Sequence, residues 1–158
     1  MGMPGTPIPD PAFAGDDGSV APEVAGVLAA YDEGGATYAE TLAVLQRSRL
    51  LVPVVAIGGD TTSEMATVLL TGRDGRTALL AFTGTEPLRA WDPRARPVPV
   101  SAALAARSAA QEGAEAIVID VAGPTRFAIE GDDLAAVAAG WTLAQVGERT
   151  AWIRSTTE

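Results

Sequence analysis

The chain has 158 residues, 47% of them hydrophobic, and a formal net charge of −9, which suits one domain with a sizeable core and opposes binding to phosphate backbones or anionic lipid. It contains no Cys and no His, which excludes disulfide frameworks, thiolate catalysis and Cys-ligated metals and removes the side chain that titrates near neutral pH. All 11 basic residues are arginine, so Schiff-base chemistry and a P-loop lysine are missing as well, and the arginine bias reads as the codon usage of a GC-rich genome.

Residues 1–19 are rich in Pro, Gly and Asp and lack the basic and apolar regions of a signal peptide, so they are expected to be a disordered lead-in. No apolar run approaches ~18 residues, so no membrane span and a cytoplasmic location are expected. A first helix is predicted from Val20 to Tyr31. Pro22 suits its first turn, and Val24, Val27, Leu28 and Tyr31 form an apolar stripe. Thr37 and Glu40 have the spacing of a capping box for a second helix, with Tyr38, Leu42, Leu45 and Arg49 on one face.

Leu50–Ile57, LLVPVVAI, reads as a strand whose Pro53 places it at a sheet edge or bulge. Gly58 to Ser63 reads as a loop. Met65–Thr71 and Thr77–Thr83 read as a hairpin closed by Gly72-Arg73-Asp74-Gly75-Arg76, because tight turns between twisted strands need positive φ angles that Gly accepts. Both arms are apolar with little alternation, so the pair is expected to be central and covered on both faces. Thr85 is expected to cap a short helix from Glu86 to Trp91, stopped at Asp92-Pro93.

Pro97–Val100 reads as extended. Ser101 can cap a helix running to Glu112, with Gly113 as its stop. Leu104 is the only large apolar residue of that helix, so its alanines must pack closely. A crossover around Ser101–Glu112 can bring in a parallel strand, and Ala116–Val121 reads as the next strand. Phe127–Ile129 reads as a short strand, Asp132 as the cap of a helix through Ala139, and Trp141–Val146 with Thr150–Ile153 as a last hairpin. The predicted fold is mixed α/β or α+β: a single domain at residues 20–154 with a central, mostly antiparallel sheet covered by helices, and a tail at 155–158.

The order LLVPVVAI, VLLTGRDGRTALLAFTGTEPLRAW, RPVPV and AEAIVIDVAGPTRFAIEGDDLAAVAAG resembles the SseB amino-terminal domain family, the group named after an enhanced serine sensitivity protein, with short members in high-GC bacteria. The resemblance covers roughly Leu50 to Gly140. It implies the boundaries of the fold and supplies no catalytic residues. Some members carry a second, carboxy-terminal domain, for which no counterpart is expected here.

Two places stand out as candidate sites. Asp120 ends an apolar strand before Gly123-Pro124, where a carboxylate can act as a base or hold a ligand amine, or can bond backbone groups of the turn. Thr83, Gly84 and Thr85 precede a helix start that offers free N–H groups to an anion, with Arg89 one turn further on. Arg73, Arg76, Arg94 and Arg96 add a local basic cluster, and with Trp91 they form a candidate interaction surface; against it, Glu86 already occupies the helix end and exposed charges contribute little. Glu130, Asp132 and Asp133 invite a cation but suit a helix first turn better.

The chain lacks GxGxxG after a strand, a P-loop, GxSxG and HExxH. No catalytic residue, metal or cofactor is assigned. The preferred expectation is a non-catalytic protein-interaction or regulatory module, with an unknown protein partner or self-association and neither nucleic acid nor membrane. The alternative is a domain that binds an anionic metabolite or amino acid, or a weak enzyme, using Thr83–Arg89 and Asp120.

Overall fold

The computed structural model describes residues 13–57 and 64–154. The loop read at Gly58 to Ser63, most of the lead-in and the tail at 155–158 lie outside the described residues. In chain order the elements are α1 (Pro22–Asp32), α2 (Tyr38–Gln46), β1 (Arg49–Ile57), β2 (Glu64–Thr67), β3 (Leu69–Thr71), β4 (Thr77–Ala81) and α3 (Thr85–Trp91). They continue with β5 (Arg96–Ser101), α4 (Ala102–Gln111), β6 (Ala116–Ile119), β7 (Phe127–Glu130), α5 (Gly131–Ala138), β8 (Thr142–Val146) and β9 (Arg149–Ile153).

Local signals account for most of these elements. Pro22 opens α1, whose Val24 and Leu28 are buried. The capping box holds α2: Glu40 N donates to Thr37 Oγ1 at 3.0 Å and Thr37 N to Glu40 Oε1 at 2.8 Å, satisfying two backbone N–H groups at the helix start. Ser101 Oγ accepts from Leu104 N at 3.1 Å at the start of α4. That helix buries Ala102, Ala105, Ala106 and Ala109 and leaves Leu104 exposed, so small side chains let its backbone approach the sheet. In α5 the N-cap position falls on Glu130 with no side-chain cap bond, and Asp132 and Asp133 lie in the first turn, where their charge suits the helix dipole.

The strands form an antiparallel sheet β2-β1-β5, a sheet β3-β4-β6-β7 and a hairpin β8-β9. Among the described strands only β4 and β6 run parallel, and the chain between them passes through α4. The two larger sheets meet where Leu51 and Phe82 exchange both backbone hydrogen bonds, at 2.7 and 2.8 Å. The α+β class and the antiparallel majority stand. The arms of the expected central hairpin do not: β2 pairs with β1, the strand breaks at Val68, and only β3 pairs with β4. β3 is an exposed sheet edge, with Leu69 and Leu70 at 38% and 42% exposure.

Pro53 lies on the middle strand of its sheet rather than at an edge. Leu51 spends its N–H and C=O on Phe82, so Pro53, two residues on, faces the same side. Its missing N–H therefore falls at the seam where β1 changes partner from Phe82 to β2, which begins pairing at Val54. By the same alternation Pro97 and Pro99 on β5, opposite Pro53 and Leu51, point their ring nitrogens away from β1. Proline costs no ladder bond at that outer edge.

Strand alternation sends Leu79, Ala81, Ile117 and Ile119 into the main core under α1, α2, α4 and α5. Leu80, Phe82 and Val118 face the other way, against Leu88 and Trp91 of α3. Covering on both faces explains why β4 and β6 show no polar alternation. Tyr38 of α2 stacks on Phe127 at 4.7 Å between ring centroids and donates to Ala128 O at 2.7 Å; burial raises its phenol pKa above the usual tyrosine range. Gln46 docks the last hairpin, its Oε1 accepting from Leu143 N at 3.0 Å and its amide donating to Trp141 O.

Candidate functional site

Because β4 and β6 are parallel neighbours, their C-terminal ends lie side by side and bring Thr83 to Asp120. Thr83 N donates to Asp120 Oδ1 at 2.9 Å, and Thr83 Oγ1 donates to Asp120 Oδ2 at 2.7 Å. Asp120 N reaches back to Ala81 O at 3.0 Å, and its φ of 55° is left-handed, a region short polar residues tolerate better than most. Both side chains are buried, Thr83 at 3% and Asp120 at 2% exposure. Burial pushes the Asp120 carboxyl above the usual aspartate range, and the two bonds from Thr83 act in the opposite direction.

Beneath this pair lies an arginine that periodicity assigns to the α2 face. Arg49 is instead the first residue of β1, after α2 ends at Gln46. Its guanidinium engages Asp16 through Nε and, at 3.0 Å, through Nη2. Nη2 also reaches Ser19 O at 2.7 Å, and Nη1 reaches Thr83 O at 2.5 Å. One planar fork thus ties residues 16–19 to β1 and to the turn carrying Thr83. The bond from Arg49 holds the Asp16 carboxyl below the usual aspartate range.

The tethered segment lies directly on the start of α3. Thr85 N donates to Gly18 O at 2.7 Å, and the N-cap position is Gly84, with Thr85 inside the helix. A Cβ on Gly84 would come within 2.6 Å of Val20 Cγ2 and 2.9 Å of Val20 N, so the close approach requires glycine. The Thr85 amide offered to an anion by the sequence therefore serves the chain itself. Arg89 is exposed and, with Asp17 and Glu86, lines a cleft of about 450 Å³ that contains neither Thr83 nor Asp120.

The remaining arginines are spread over the surface. Arg76, at the start of β4, pairs with Glu115 at 3.3 Å and Glu130 at 3.6 Å, all three about half exposed. Arg73 shares its turn, in which Arg76 N donates to Asp74 Oδ1 at 3.0 Å. Trp91 packs against Phe82 at the far end of β4, with ring centroids 5.7 Å apart. At ~3.3 Å per residue, Arg76 and Phe82 lie about 20 Å apart along the strand, so the turn arginines and Trp91 occupy different ends. Arg94 approaches Asp92 at 3.7 Å, and Arg96 is exposed at the start of β5.

Between α1, the start of α3 and the turn after β6 opens a second cleft, of about 580 Å³. Asp120, Thr83 and Thr125 contribute buried polar groups to its wall. Asp32, Glu33 and Glu86 are exposed residues of its lining. Val20, Leu28 and Pro87 supply apolar surface, and no arginine lines it among the described residues. In the cleft the Thr83 hydroxyl donates to Asp120, and both Asp120 oxygens accept from Thr83. Among the described residues no three carboxylates converge closely enough to hold a metal ion.

Thr83, Gly84, Thr85 and Asp120 thus come together while Arg89 stands apart. Sequence reasoning missed Asp16, Gly18 and Arg49, which build the support under them. Asp16-Asp17-Gly18 within the lead-in was the available signal, since a short acidic turn can take an arginine; nothing local names Arg49 as that arginine.

A family model described as SseB protein N-terminal domain matches residues 24–136. The match runs from α1 into α5 and takes in Arg49, Thr83, Asp120 and most of the larger cleft; the segment at 16–20 and the β8-β9 hairpin fall outside it. No curated protein and no solved structure matches the chain.

Proposed function

The chain belongs to the SseB N-terminal domain family, and on that premise we propose that it is a non-catalytic binding domain that holds a small ligand in the cleft beside Thr83 and Asp120. The observation that carries this reading is the cleft itself. Its volume of about 580 Å³ falls inside the range of ~300–1,000 Å³ common for ligand sites, and it combines apolar walls with a few buried polar groups. Thr83 and Asp120 bond each other, and no third side chain among the described residues orients the pair, which favours binding over nucleophilic catalysis.

A crystallographic survey with small fragments of neutral, cationic and anionic character tests the reading. Density for at least one fragment class between α1 and the Asp120 turn is the expected result. A survey in which every fragment class leaves that cleft empty and populates other surfaces overturns it.

A different observation favours a second reading, that of a protein-interaction module. Leu69 and Leu70 are exposed large apolar residues on the edge strand β3, where a partner could add a strand through the free backbone groups. In that case Leu69→Ser with Leu70→Ser abolishes a partner captured by the native chain and leaves thermal stability nearly unchanged. Undiminished capture by the double variant would remove β3 as the docking edge.

A further inference from the structure

We propose that the cleft beside Asp120 takes a small organic cation, a primary amine or guanidinium carried on a short apolar body. This rests on the ligand-binding reading above and adds the charge and shape of the ligand.

The polar groups of the cleft are acceptors far more than donors. Asp120 receives one bond on each carboxylate oxygen, both from Thr83, which leaves further lone-pair capacity on each. Thr125 lines the same wall at 7% exposure, and its hydroxyl makes no hydrogen bond to the described residues. That hydroxyl keeps contact with solvent, since no buried side-chain nitrogen or oxygen among the described residues lacks a partner, and it is therefore open to a ligand group. An ammonium brings three donors and no acceptor, a guanidinium five and none, which matches this surplus.

Charge selects in the same direction. Asp32 and Glu33 come from the C-terminal end of α1, the negative end of its dipole, and Glu86 comes from the first turn of α3. These exposed carboxylates surround an approach to buried Asp120, with no arginine among the described lining residues. An anion entering there meets like charge and finds the Thr85 amide already given to Gly18 O. A divalent metal finds no set of three carboxylates within reach of one another among the described residues. Val20, Leu28 and Pro87 then account for the apolar body, since they would otherwise face a fully hydrated ion.

Three probes of one shape and different charge separate the contributions: phenethylamine, phenethyl alcohol and 3-phenylpropionate. They are titrated into the full chain near neutral pH at low ionic strength, and the backbone amides of Thr83, Asp120 and Thr125 are followed by NMR. The expected result is saturable binding of the amine alone, with shifts confined to the cleft. In a variant carrying Asp32→Asn, Glu33→Gln and Glu86→Gln, amine affinity falls by about five- to tenfold, the sum of a few modest exposed charge contributions. Those positions are exposed, so the fold survives their neutralisation, and an unchanged amide spectrum of the free variant checks this.

Equal or tighter binding of the alcohol or the carboxylate overturns the cationic assignment and leaves the cleft reading standing. Amine binding that ignores the three substitutions, or shifts amides elsewhere, overturns it as well. If none of the probes binds, the proposal fails, and an empty fragment survey would then remove the cleft reading with it.

Discussion

Substituting Asp120 tests whether its carboxylate is a folding clasp or a charge kept for another purpose. In Asp120→Asn the amide oxygen still accepts from Thr83 N–H, and the Thr83 hydroxyl can turn to accept from the new amide N–H. Asn is also among the residues that tolerate a φ of 55°. Both hydrogen bonds survive in this way, and the cost of burying a charge at 2% exposure disappears. In Asp120→Ala the Thr83 N–H and O–H lose their partner, at ~1–3 kcal/mol each, and alanine in the left-handed region adds ~1 kcal/mol. The expected order near neutral pH is Asn equal to or above the native protein, with Ala lower by about 3–7 kcal/mol. The pH dependence follows from the raised carboxyl pKa. A raised folded-state value means the native contribution is complete below the ordinary aspartate value of about 3.9 and is lost as pH rises through the folded value. The advantage of Asn over Asp therefore starts small in acid and grows with pH until it levels off. Asp16 shifts in the opposite direction, but it is common to both proteins and cancels in the difference. Urea unfolding followed by tryptophan fluorescence at a series of pH values measures this directly. If Asn is as damaging as Ala at every pH, the ionised carboxylate has a counter-charge of its own and the clasp reading is wrong.

Arg49→Met removes the bonds that tie residues 16–19 and the Thr83 turn to β1. It is expected to cost about 1–3 kcal/mol, chiefly from the lost bonds to Thr83 O and Ser19 O, with a smaller share from an Asp16 pair that stays within reach of solvent. The same variant should lose the part of native stability that is present above the ordinary aspartate value and disappears as pH falls through the lowered Asp16 value; acid unfolding curves of the two proteins converge if this is right. Gly84→Ala places a Cβ 2.9 Å from Val20 N, so the backbone at 18–20 must lift. Faster hydrogen exchange at the Thr85 amide reports that release, and unchanged exchange would contradict it. Pro97→Thr with Pro99→Thr gives the outer edge of β5 two new N–H donors, and concentration-dependent self-association by light scattering is the expected result.

The elements that sequence reasoning placed correctly are those specified within four or five residues. The Thr37–Glu40 box, the Ser101 cap and the Gly72–Arg76 turn each contain donor, acceptor and required backbone geometry in one short stretch. The reading failed where one local feature is compatible with two tertiary settings. An apolar run without alternation suits a strand covered on both faces, as in β4, and equally a three-residue edge such as β3. Proline on a strand says only that one N–H is not needed. Whether the unused position lies at a sheet edge, as for Pro97 and Pro99, or at an internal seam, as for Pro53, depends on the neighbour of the strand.

The site divides along the same line. Thr83, Gly84, Thr85 and Asp120 were legible because strand ends and helix starts expose polar groups whatever surrounds them. Which chemistry they retain was not legible, since it is decided by partners far away in the chain. Thr83 and Asp120 satisfy each other across 37 residues, and Arg49 reaches Asp16 across 33. The second of these contacts also brings Gly18 O onto Thr85 N and turns a site expected to attract anions into a closed joint. Once that amide is used, the groups with spare hydrogen-bonding capacity are the Asp120 oxygens and the Thr125 hydroxyl. On the proposal above, the sign of the charge that suits the cleft is thereby reversed. A short acidic turn in the lead-in, with no apolar residue to mark it as part of the fold, takes up the Thr85 amide at the neighbouring helix start and removes it as a donor for an anion.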